Sequence, residues 1–355
     1  MKLRLIFTSL SVLLISSSLM VGCNKNSSSP ATAPAPKVSV PADTLETTAN
    51  AKTIRLGFSN WPGYMPWHVG DKAKLFKSEK TTLLPVWYDE YLKGIGALVA
   101  GQLDANSQTL MDTVLSVAEG SDQVVVLVND NSTGNDKIIA KAGINGISDL
   151  KGKVIATEKG TVDHYLLLLA LKKAGLKESD VSMKFMGIQE SADAFVAGKV
   201  DAVSVFAPAT NTALKKSGSK ELASSKDFPG AISDVLAFRR EFIEKNPAIV
   251  QETVNTWFKS LAHIKANSAK SNDLMAKQSS VSVAEYATFE KGIKIFDVND
   301  NLQAFKPGKD NTSLSVSAED LKKTLISLGL TKKSADVSKM FDDQFVKAYA
   351  EKTNK

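Results

Sequence analysis

The chain has 355 residues, of which 43% are apolar and 23% are charged, so it can bury a full globular core, and its length suggests two domains. This composition excludes disorder of the whole chain. The net charge of +6, which falls to +4 once Lys2 and Arg4 are removed with a signal segment, is too small and too dispersed to argue for a nucleic-acid partner.

The first 52 residues predict a leader and a tether. Residues 1–22 combine a positive start with an apolar run that is too short for a membrane span of about 20 residues, and therefore indicate a signal peptide. Cys23, the only cysteine in the sequence, follows in the lipobox-like segment LMVGC, so we expect a lipid anchor there; a plain secretory signal is the alternative. Residues 23–52, rich in Ser, Pro, Ala and Thr, predict a flexible tether. The expected location is the periplasm or the cell surface.

From residue 53 onwards, short apolar runs alternate with longer helical patterns, which is typical of an α/β fold. The predicted strands cover residues 54–58, 83–87, 104–107, 123–129, 154–156, 183–186, 202–206 and 235–239. The predicted helices cover residues 65–75, 91–100, 109–118, 161–174, 191–197 and 209–217, and most of 241–350.

An internal repeat indicates two similarly built lobes. Residues 97–107 read ALVAGQLDANS and residues 194–204 read AFVAGKVDAVS, so seven of eleven positions are identical. Each copy predicts a helix end, a glycine cap, a turn and a strand. Chance similarity between two common helix–strand junctions is the alternative. Asp104 and Asp201 occupy the same place in the two copies, and we expect them to be structural turn or cap residues.

The predicted connections between the lobes define their limits. We expect crossings near residues 137–142 and 233–240, which assigns 53–137 and 240–355 to the first lobe and 138–239 to the second. Two linking segments form a hinge with a cleft beside it, and clefts at the carboxyl ends of parallel strands are favoured places for a small ligand.

Several motifs resemble the nitrate/taurine/sulfonate class of ABC-importer solute-binding proteins over residues 53–265. They are the opening strand and loop GFSNWPGY at 57–64, the GxxDA junction at 101–105, and DLKGK at 149–153. The resemblance implies a two-lobed periplasmic-binding-protein fold (type II), each lobe a mixed sheet flanked by helices. It also implies a monomer that delivers a small molecule to an ABC permease.

Within that class the chain is similar to the subgroup associated with urea carboxylase and guanidine utilisation. The similarity lies in GYMPW at 63–67, in Asp112 after a polar strand end, in STGND at 132–136, and in Glu158 followed by HYLL at 164–167. The chain departs from that subgroup at 206–208, where it has Phe-Ala-Pro in place of Trp-Asn-Pro. Any ligand contact from this loop is therefore in doubt.

The charges near the predicted cleft favour a cation. The four arginines are Arg4, Arg55, Arg239 and Arg240, and none lies in a predicted cleft loop, whereas nitrate or a sulfonate would favour guanidinium groups. Acidic and aromatic residues instead recur at predicted strand ends, and a planar cation such as guanidinium can use both. The predicted ligand-binding residues are Trp61, Tyr64, Trp67, Glu90, Asp112, Asp136, Glu158 and His164.

Several of these acidic, aromatic and histidine residues have structural alternatives. Either tryptophan could hold the first loop on the core, and Asp136 could form an ion pair between the lobes. His164, at a predicted helix start, could in principle be a general base, and the alternative is a helical histidine without a catalytic role. Asp163, in the first turn of a predicted helix, could simply complement the helix dipole.

The resulting hypothesis is a solute-binding protein of an ABC importer that captures guanidinium between two lobes. The alternative ligands are nitrate, taurine, an aliphatic sulfonate or a thiamine precursor, and an anion would bind at the start of the helix beginning at Thr161. An enzyme is the other class, but no hydrolase, metalloprotease or nucleotide-binding motif occurs, and the three histidines are too scattered for a metal site. We expect no catalytic activity, metal or cofactor.

Overall fold

The computed structural model describes residues 52–78 and 81–353. The predicted signal peptide, Cys23 and the tether up to residue 51 lie outside the described residues. The strands are β1 (Lys52–Ser59), β2 (Lys77–Ser78), β3 (Thr81–Tyr88), β4 (Ala105–Thr109), β5 (Gln123–Ser132), β6 (Asp136–Ala140), β7 (Val154–Thr157), β8 (Ser182–Phe185), β9 (Ala202–Phe206), β10 (Lys220–Ser224), β11 (Ser233–Arg239) and β12 (Ile293–Ile295).

The helices follow the predicted alternation, and each predicted helix is present. They are α1 (Met65–Lys72), α2 (Tyr91–Val99), α3 (Leu110–Ala118), α4 (Val162–Lys173), α5 (Ile188–Val196), α6 (Ala209–Leu214), α7 (Arg240–Lys245), α8 (Pro247–Ala266), α9 (Ser268–Gln278), α10 (Val283–Glu290), α11 (Val298–Ala304), α12 (Leu314–Ser327) and α13 (Gln344–Thr353). Across the described ranges, no helix has both the length and the hydropathy needed to cross a membrane.

The strands form two mixed sheets. The seven-stranded sheet has the order β12-β5-β11-β4-β1-β3-β2, and the five-stranded sheet has the order β10-β6-β9-β7-β8. The chain changes sheets between β5 and β6 and again between β10 and β11, at residues 133–135 and 225–232. The predicted crossings lay too late in the chain. In particular β11, which the predicted limits place in the second lobe, pairs with β4 and β5 of the seven-stranded sheet.

The two copies of the repeat build the same unit, one in each sheet. In the first, α2 ends, Gly101 has φ +72° and β4 joins the seven-stranded sheet; in the second, α5 ends, Gly198 has φ +75° and β9 joins the five-stranded sheet. Glycine reaches this left-handed region without the steric cost that a Cβ imposes. The sequence repeat therefore corresponds to a repeated structural unit.

The C-terminal region packs mainly on the seven-stranded sheet. Strand β12 pairs with β5, and Trp257 of α8 packs on Trp67 of α1 with ring centroids 4.8 Å apart. Both indole rings are fully buried. Burial of such large apolar surfaces is the main favourable term that holds these helices on the sheet.

Candidate ligand-binding site

Three strand ends of the seven-stranded sheet bring polar residues to one edge. Antiparallel pairing places Asp234, at the start of β11, opposite Thr109 at the end of β4 and opposite Asp130 near the end of β5. All three residues are at least 95% buried. Cross-strand neighbours lie about 5 Å apart, so this register alone sets two carboxyl groups side by side.

The loop after β1 supplies aromatic partners for these carboxyl groups. The indole Nε1 of Trp61 donates to Asp130 at 3.1 Å, and the Tyr64 hydroxyl donates to Asp234. Gly63 permits this approach, since a Cβ there would lie 1.8 Å from Asp130 Oδ2. The motif at 57–64 is thus fitted to the buried acidic pair.

Asp112 belongs to a neighbouring hydrogen-bond network. Its carboxylate accepts from the hydroxyls of Tyr91 and Thr109, both at 2.5 Å, and its backbone N–H donates to Thr109 Oγ1 at 3.0 Å. The last contact caps the N-terminus of α3. Asp112 therefore positions Tyr91 at the edge of the site.

The five-stranded sheet contributes Asp136 and Phe206, which are paired across β6 and β9. Asp136 is 1% exposed, and neither of its carboxylate oxygens has a hydrogen-bond partner of good geometry among the described residues, although the Ser132 hydroxyl lies nearby. Both carboxylate oxygens of Asp163, in the first turn of α4, are likewise buried without a partner, as is Asp234 Oδ2. These atoms are hydrogen-bond acceptors that lack donors.

Burial raises the pKa of every carboxyl group in this cluster. Loss of water raises the pKa of Asp130 to about 8, that of Asp136 to about 7 and that of Asp112 to about 6. The pKa values of Asp163 and Asp234 also lie well above the usual range, because burial is reinforced by neighbouring carboxylates. A cluster with these properties needs protons or a bound cation.

A small inner chamber lies between the residues of the two sheets. Its free volume is about 20 Å³, room for one or two water-sized groups. The ring of Phe206 packs edge-to-face with those of Trp61 and Tyr91, at centroid distances of 5.9 and 6.1 Å. The chamber is lined by Trp61, Tyr64, Tyr91, Thr109, Asp136, Val162, Phe206, Ile232 and Asp234.

A larger outer chamber of about 460 Å³ shares Tyr91 and Phe206 with the inner one. Glu158, which follows β7, lines it, and burial together with Asp112 and Glu90 raises the pKa of Glu158 to about 7. Glu90 also lines the outer chamber, but it is mostly exposed and forms an ion pair with Lys93. None of the described residues lining either chamber is Lys, Arg or His.

The structure places two predicted site residues elsewhere. Trp67 lies in the core, where its Nε1 donates to Ser107 Oγ at 2.9 Å, so it holds α1 on the sheet and lines neither chamber. His164 accepts a hydrogen bond from the Gly160 N–H at Nδ1, and its Nε2 lies 3.4 Å from Glu178. Burial lowers the pKa of His164, and the side chain faces β8 beside Phe185.

Three residues of this site were not among the predicted ligand-binding residues: Tyr91, Asp130 and Asp234. Asp130 follows the apolar run VVVLV at 124–128, the same signal that pointed to Glu158 after β7. The ion-pair alternative for Asp136 finds no support among the described residues, because both of its carboxylate oxygens are buried without a partner and the adjacent Lys137 pairs with Glu221 at 2.5 Å. The described residues contain no group of three or more His, Cys, Asp or Glu side chains arranged to hold a metal ion.

Comparison with solved structures identifies the fold. The alkanesulfonate-binding protein SsuA of Xanthomonas axonopodis pv. citri, solved with MOPS, superposes with a TM-score of 0.70 at 18% identity, covering 83% of this chain and 99% of SsuA. The nitrate-binding protein NrtA of Synechocystis PCC 6803 superposes with a TM-score of 0.68 at 12% identity, covering 85% and 89%. The predicted periplasmic-binding-protein fold is confirmed. The desulfurization enzyme DszB has a related fold, at a TM-score of 0.62 and 14% identity.

Sequence comparison supports the broader part of the predicted resemblance. An Escherichia coli (strain K12) protein named for the binding of aliphatic sulfonates is 32% identical over 183 residues, which are 51% of this chain and 57% of that protein. The chain thus spans somewhat more than half the length of this curated relative. The guanidine-associated subgroup finds no support in these matches. The profile of the NMT1-like family matches residues 47–278, and the chain belongs to this family.

Proposed function

We propose that the chain is an extracytoplasmic solute-binding protein of an ABC importer and that its ligand is a small planar cation, guanidinium. Membership of the NMT1-like family and the similarity to proteins named for solute binding support the general role. The choice of a cation rests on the chemistry of the inner chamber.

The observation that carries the proposal is the set of buried carboxylate oxygens without donors. Asp136 and Asp234 line the inner chamber with three such oxygens, and Asp163 adds two beside them. Guanidinium carries only N–H donors and a delocalised positive charge, so it would satisfy these acceptors and remove the mutual repulsion of the carboxylates. An uncharged chamber lining would offer no such gain.

The aromatic rings that line the inner chamber also suit a flat cation. Trp61, Tyr64 and Phe206 offer aromatic surfaces against which a flat cation is stabilised. Asp130 holds the indole of Trp61, and Asp112 holds the ring of Tyr91, so these two carboxylates position the walls. The free volume of about 20 Å³ excludes a large ligand, and the chamber would have to widen to admit the four non-hydrogen atoms of guanidinium.

An anion is the second candidate, because solved relatives of the same fold are named for alkanesulfonate and nitrate binding. Helix N-termini can bind anions, and those of α3 and α4 lie beside the inner chamber. In this chain, however, Asp112 and Asp163 occupy the first turns of these two helices. An anion would therefore meet buried carboxylates where it needs donors.

The remaining parts of the proposal concern transport. A ligand that contacts residues of both sheets favours a closed arrangement over an open one, and the permease would recognise the closed form. A lipid at Cys23 would keep the protein at the membrane, outside the cytoplasm. As in the relatives named for solute binding, we infer that the ligand is bound and released without chemical change.

The test is a thermal-shift and calorimetric screen of the purified chain at pH 8, with submillimolar guanidinium chloride, methylguanidine, urea, nitrate, taurine and an alkanesulfonate, and sodium chloride as the salt control. We expect guanidinium to raise Tm by mass action and urea to leave it unchanged, since urea has the shape but not the charge. Asp136→Asn should weaken guanidinium binding about 10- to 100-fold, the value of a charge-assisted hydrogen bond.

The matched control is Asp193→Asn, which neutralises an exposed aspartate on α5 whose carboxylate accepts from Gln189. This variant should bind guanidinium like the wild type. Stabilisation by nitrate or a sulfonate that is retained or increased in Asp136→Asn would overturn the cation assignment in favour of the anion.

A further inference from the structure

We propose that the outer chamber is a second, weaker cation subsite, where guanidinium is first captured before it passes the Tyr91–Phe206 wall into the inner chamber. This inference rests on the proposed function and adds the route of the ligand. It gives Glu158 a role in association that differs from the role of Asp136 and Asp234 in retention.

Two polar residues that line the outer chamber have buried oxygen atoms without hydrogen-bond partners. Ser59 is 5% exposed and lines the outer chamber, and its Oγ has no hydrogen-bond partner among the described residues. The Asn60 amide oxygen, also buried without a donor, lines the same chamber. Both atoms can accept a hydrogen bond from a ligand that carries only donors.

The acidic residues that line the outer chamber differ in whether their carboxylates have partners. Asp89 accepts from the Trp87 indole at 2.7 Å, and Glu90 pairs with Lys93, so both are occupied. The backbone carbonyl of Glu158 accepts from the Thr161 hydroxyl at 2.9 Å, but its carboxylate has neither a hydrogen bond nor an ion pair with the described residues, although the residue is half-buried. Glu190, exposed in the first turn of α5, also lines the chamber and has no ion pair with the described residues. The free negative charge therefore concentrates at Glu158 and Glu190.

The outer chamber adjoins the inner chamber. Tyr91 and Phe206 line both chambers, and the charge of Asp112 acts on Glu158 across this wall. A cleft lined by one sign of charge raises the local concentration of an oppositely charged ligand and its rate of association. The outer chamber would therefore concentrate guanidinium beside the inner one.

The experiment is stopped-flow intrinsic fluorescence of the full chain with guanidinium chloride at pH 8, where Glu158 is ionised. Trp61 lines the inner chamber and supplies the expected signal. Glu158→Gln should lower the association rate constant about threefold or more and weaken its dependence on sodium chloride, with the dissociation rate constant unchanged within about twofold. Asp136→Asn should instead raise the dissociation rate constant.

Two further variants keep the test decisive. Glu190→Gln, at an exposed position of the same chamber, should also slow association, and it does not depend on tolerance of a change at half-buried Glu158. Glu244→Gln, exposed on α7 beyond the far end of β11, should change neither rate constant.

Wild-type association rates in both Glu158→Gln and Glu190→Gln, or an effect of Glu158→Gln on dissociation alone, would overturn the outer subsite and leave the inner one intact. Failure of guanidinium to bind the wild-type chain would overturn the proposed function and the outer subsite together.

Discussion

Asp104 and Asp201 show how a single residue type joins neighbouring strands in each sheet. Asp104 accepts the Arg55 backbone N–H at 2.9 Å, and Asp201 accepts the Val154 N–H at 2.8 Å. Each bond links the start of a strand of the repeat to the adjacent parallel strand. The prediction that both aspartates are structural agrees with these contacts.

The two aspartates differ in how many partners they hold, and this difference predicts their contribution to stability. Asp104 also pairs with the guanidinium groups of Arg55 and Arg239 at 3.0 and 3.1 Å, whereas Asp201 adds one pair with half-exposed Lys141. Asp104→Asn should lower the free energy of unfolding by about 1–3 kcal/mol. Asp201→Asn should lower it by about 1 kcal/mol or less.

The measurement is urea unfolding followed by circular dichroism, because guanidinium is the proposed ligand and cannot serve as the denaturant. Neither change should alter guanidinium affinity, since both aspartates lie at the strand ends away from the two chambers. Equal losses of stability in the two variants would show that the arginine pairs of Asp104 contribute nothing measurable.

At the scale of the element, the repeated helix–glycine–strand unit depends on one backbone conformation. Gly101 and Gly198 have φ values of +72° and +75°, and no atom lies closer than 3.8 Å to a Cβ built at either position. The requirement for glycine is therefore conformational, and steric crowding does not add to it. A residue with a Cβ pays about 1–2 kcal/mol in this region.

Gly101→Ala and Gly198→Ala should each lower the free energy of unfolding by about 1 kcal/mol. Because both glycines have the same backbone conformation, the two losses should be equal. Gly146→Ala is the matched control, because Gly146 has φ −156°, an extended conformation open to any residue, and has open space around its Cβ position. It should be neutral or slightly stabilising. A neutral Gly101→Ala in urea unfolding would refute the conformational argument.

The sequence predicts the long, strongly patterned elements well and the short, partner-dependent strands poorly. Each predicted helix is present with ends that shift by a few residues, because apolar periodicity and glycine caps are local signals. Strands β2, β6, β10 and β12 were not predicted as strands. Strands β2 and β12 have only two and three residues, and β10 carries charged and polar residues. Each of these three is a strand only through its pairing with a neighbour, which is β3 for β2, β5 for β12 and β6 for β10.

The same distinction explains the candidate site. Four residues of the site lie in recognisable loops or at strand ends, so their place near the cleft could be predicted. They are Trp61, Tyr64, Asp136 and Glu158. The Asp130–Asp234 pair depends on the register of β11 against β5, which joins residues about one hundred positions apart. No local pattern specifies such a register, and the identity of the acidic centre therefore required the structure.

At the scale of the whole molecule, carboxyl groups from both sheets meet in one buried cluster, and this couples ligand binding to pH. Glu158, Asp136 and Asp130 have pKa values raised to about 7, 7 and 8. An acid whose pKa is higher in the folded chain binds its proton more tightly there. Its contribution to stability is complete below the unfolded value near 4 and is lost as the pH rises through the folded value.

The Tm of the ligand-free chain should therefore fall between pH 6.5 and 8.5, by a few degrees per pH unit at most. His68 and His164 do not obscure this window: burial lowers their pKa values, so their opposing contribution is lost only as the pH falls below about 6.5. Asp136→Asn removes one of the titrating groups and should flatten the slope.

Guanidinium should counteract the fall of Tm with rising pH, because it binds the ionised carboxylates and competes with their protons. The Tm increase caused by a fixed guanidinium concentration should grow from pH 6.5 to pH 8.5 in the wild type, and should grow less in Asp136→Asn. The measurement is a thermal-shift series at constant ionic strength, with sodium chloride replacing guanidinium chloride in the control. A Tm increase that is the same at both pH values would mean that the ligand does not displace protons from the buried cluster, and that the carboxylates serve a role other than holding a cation.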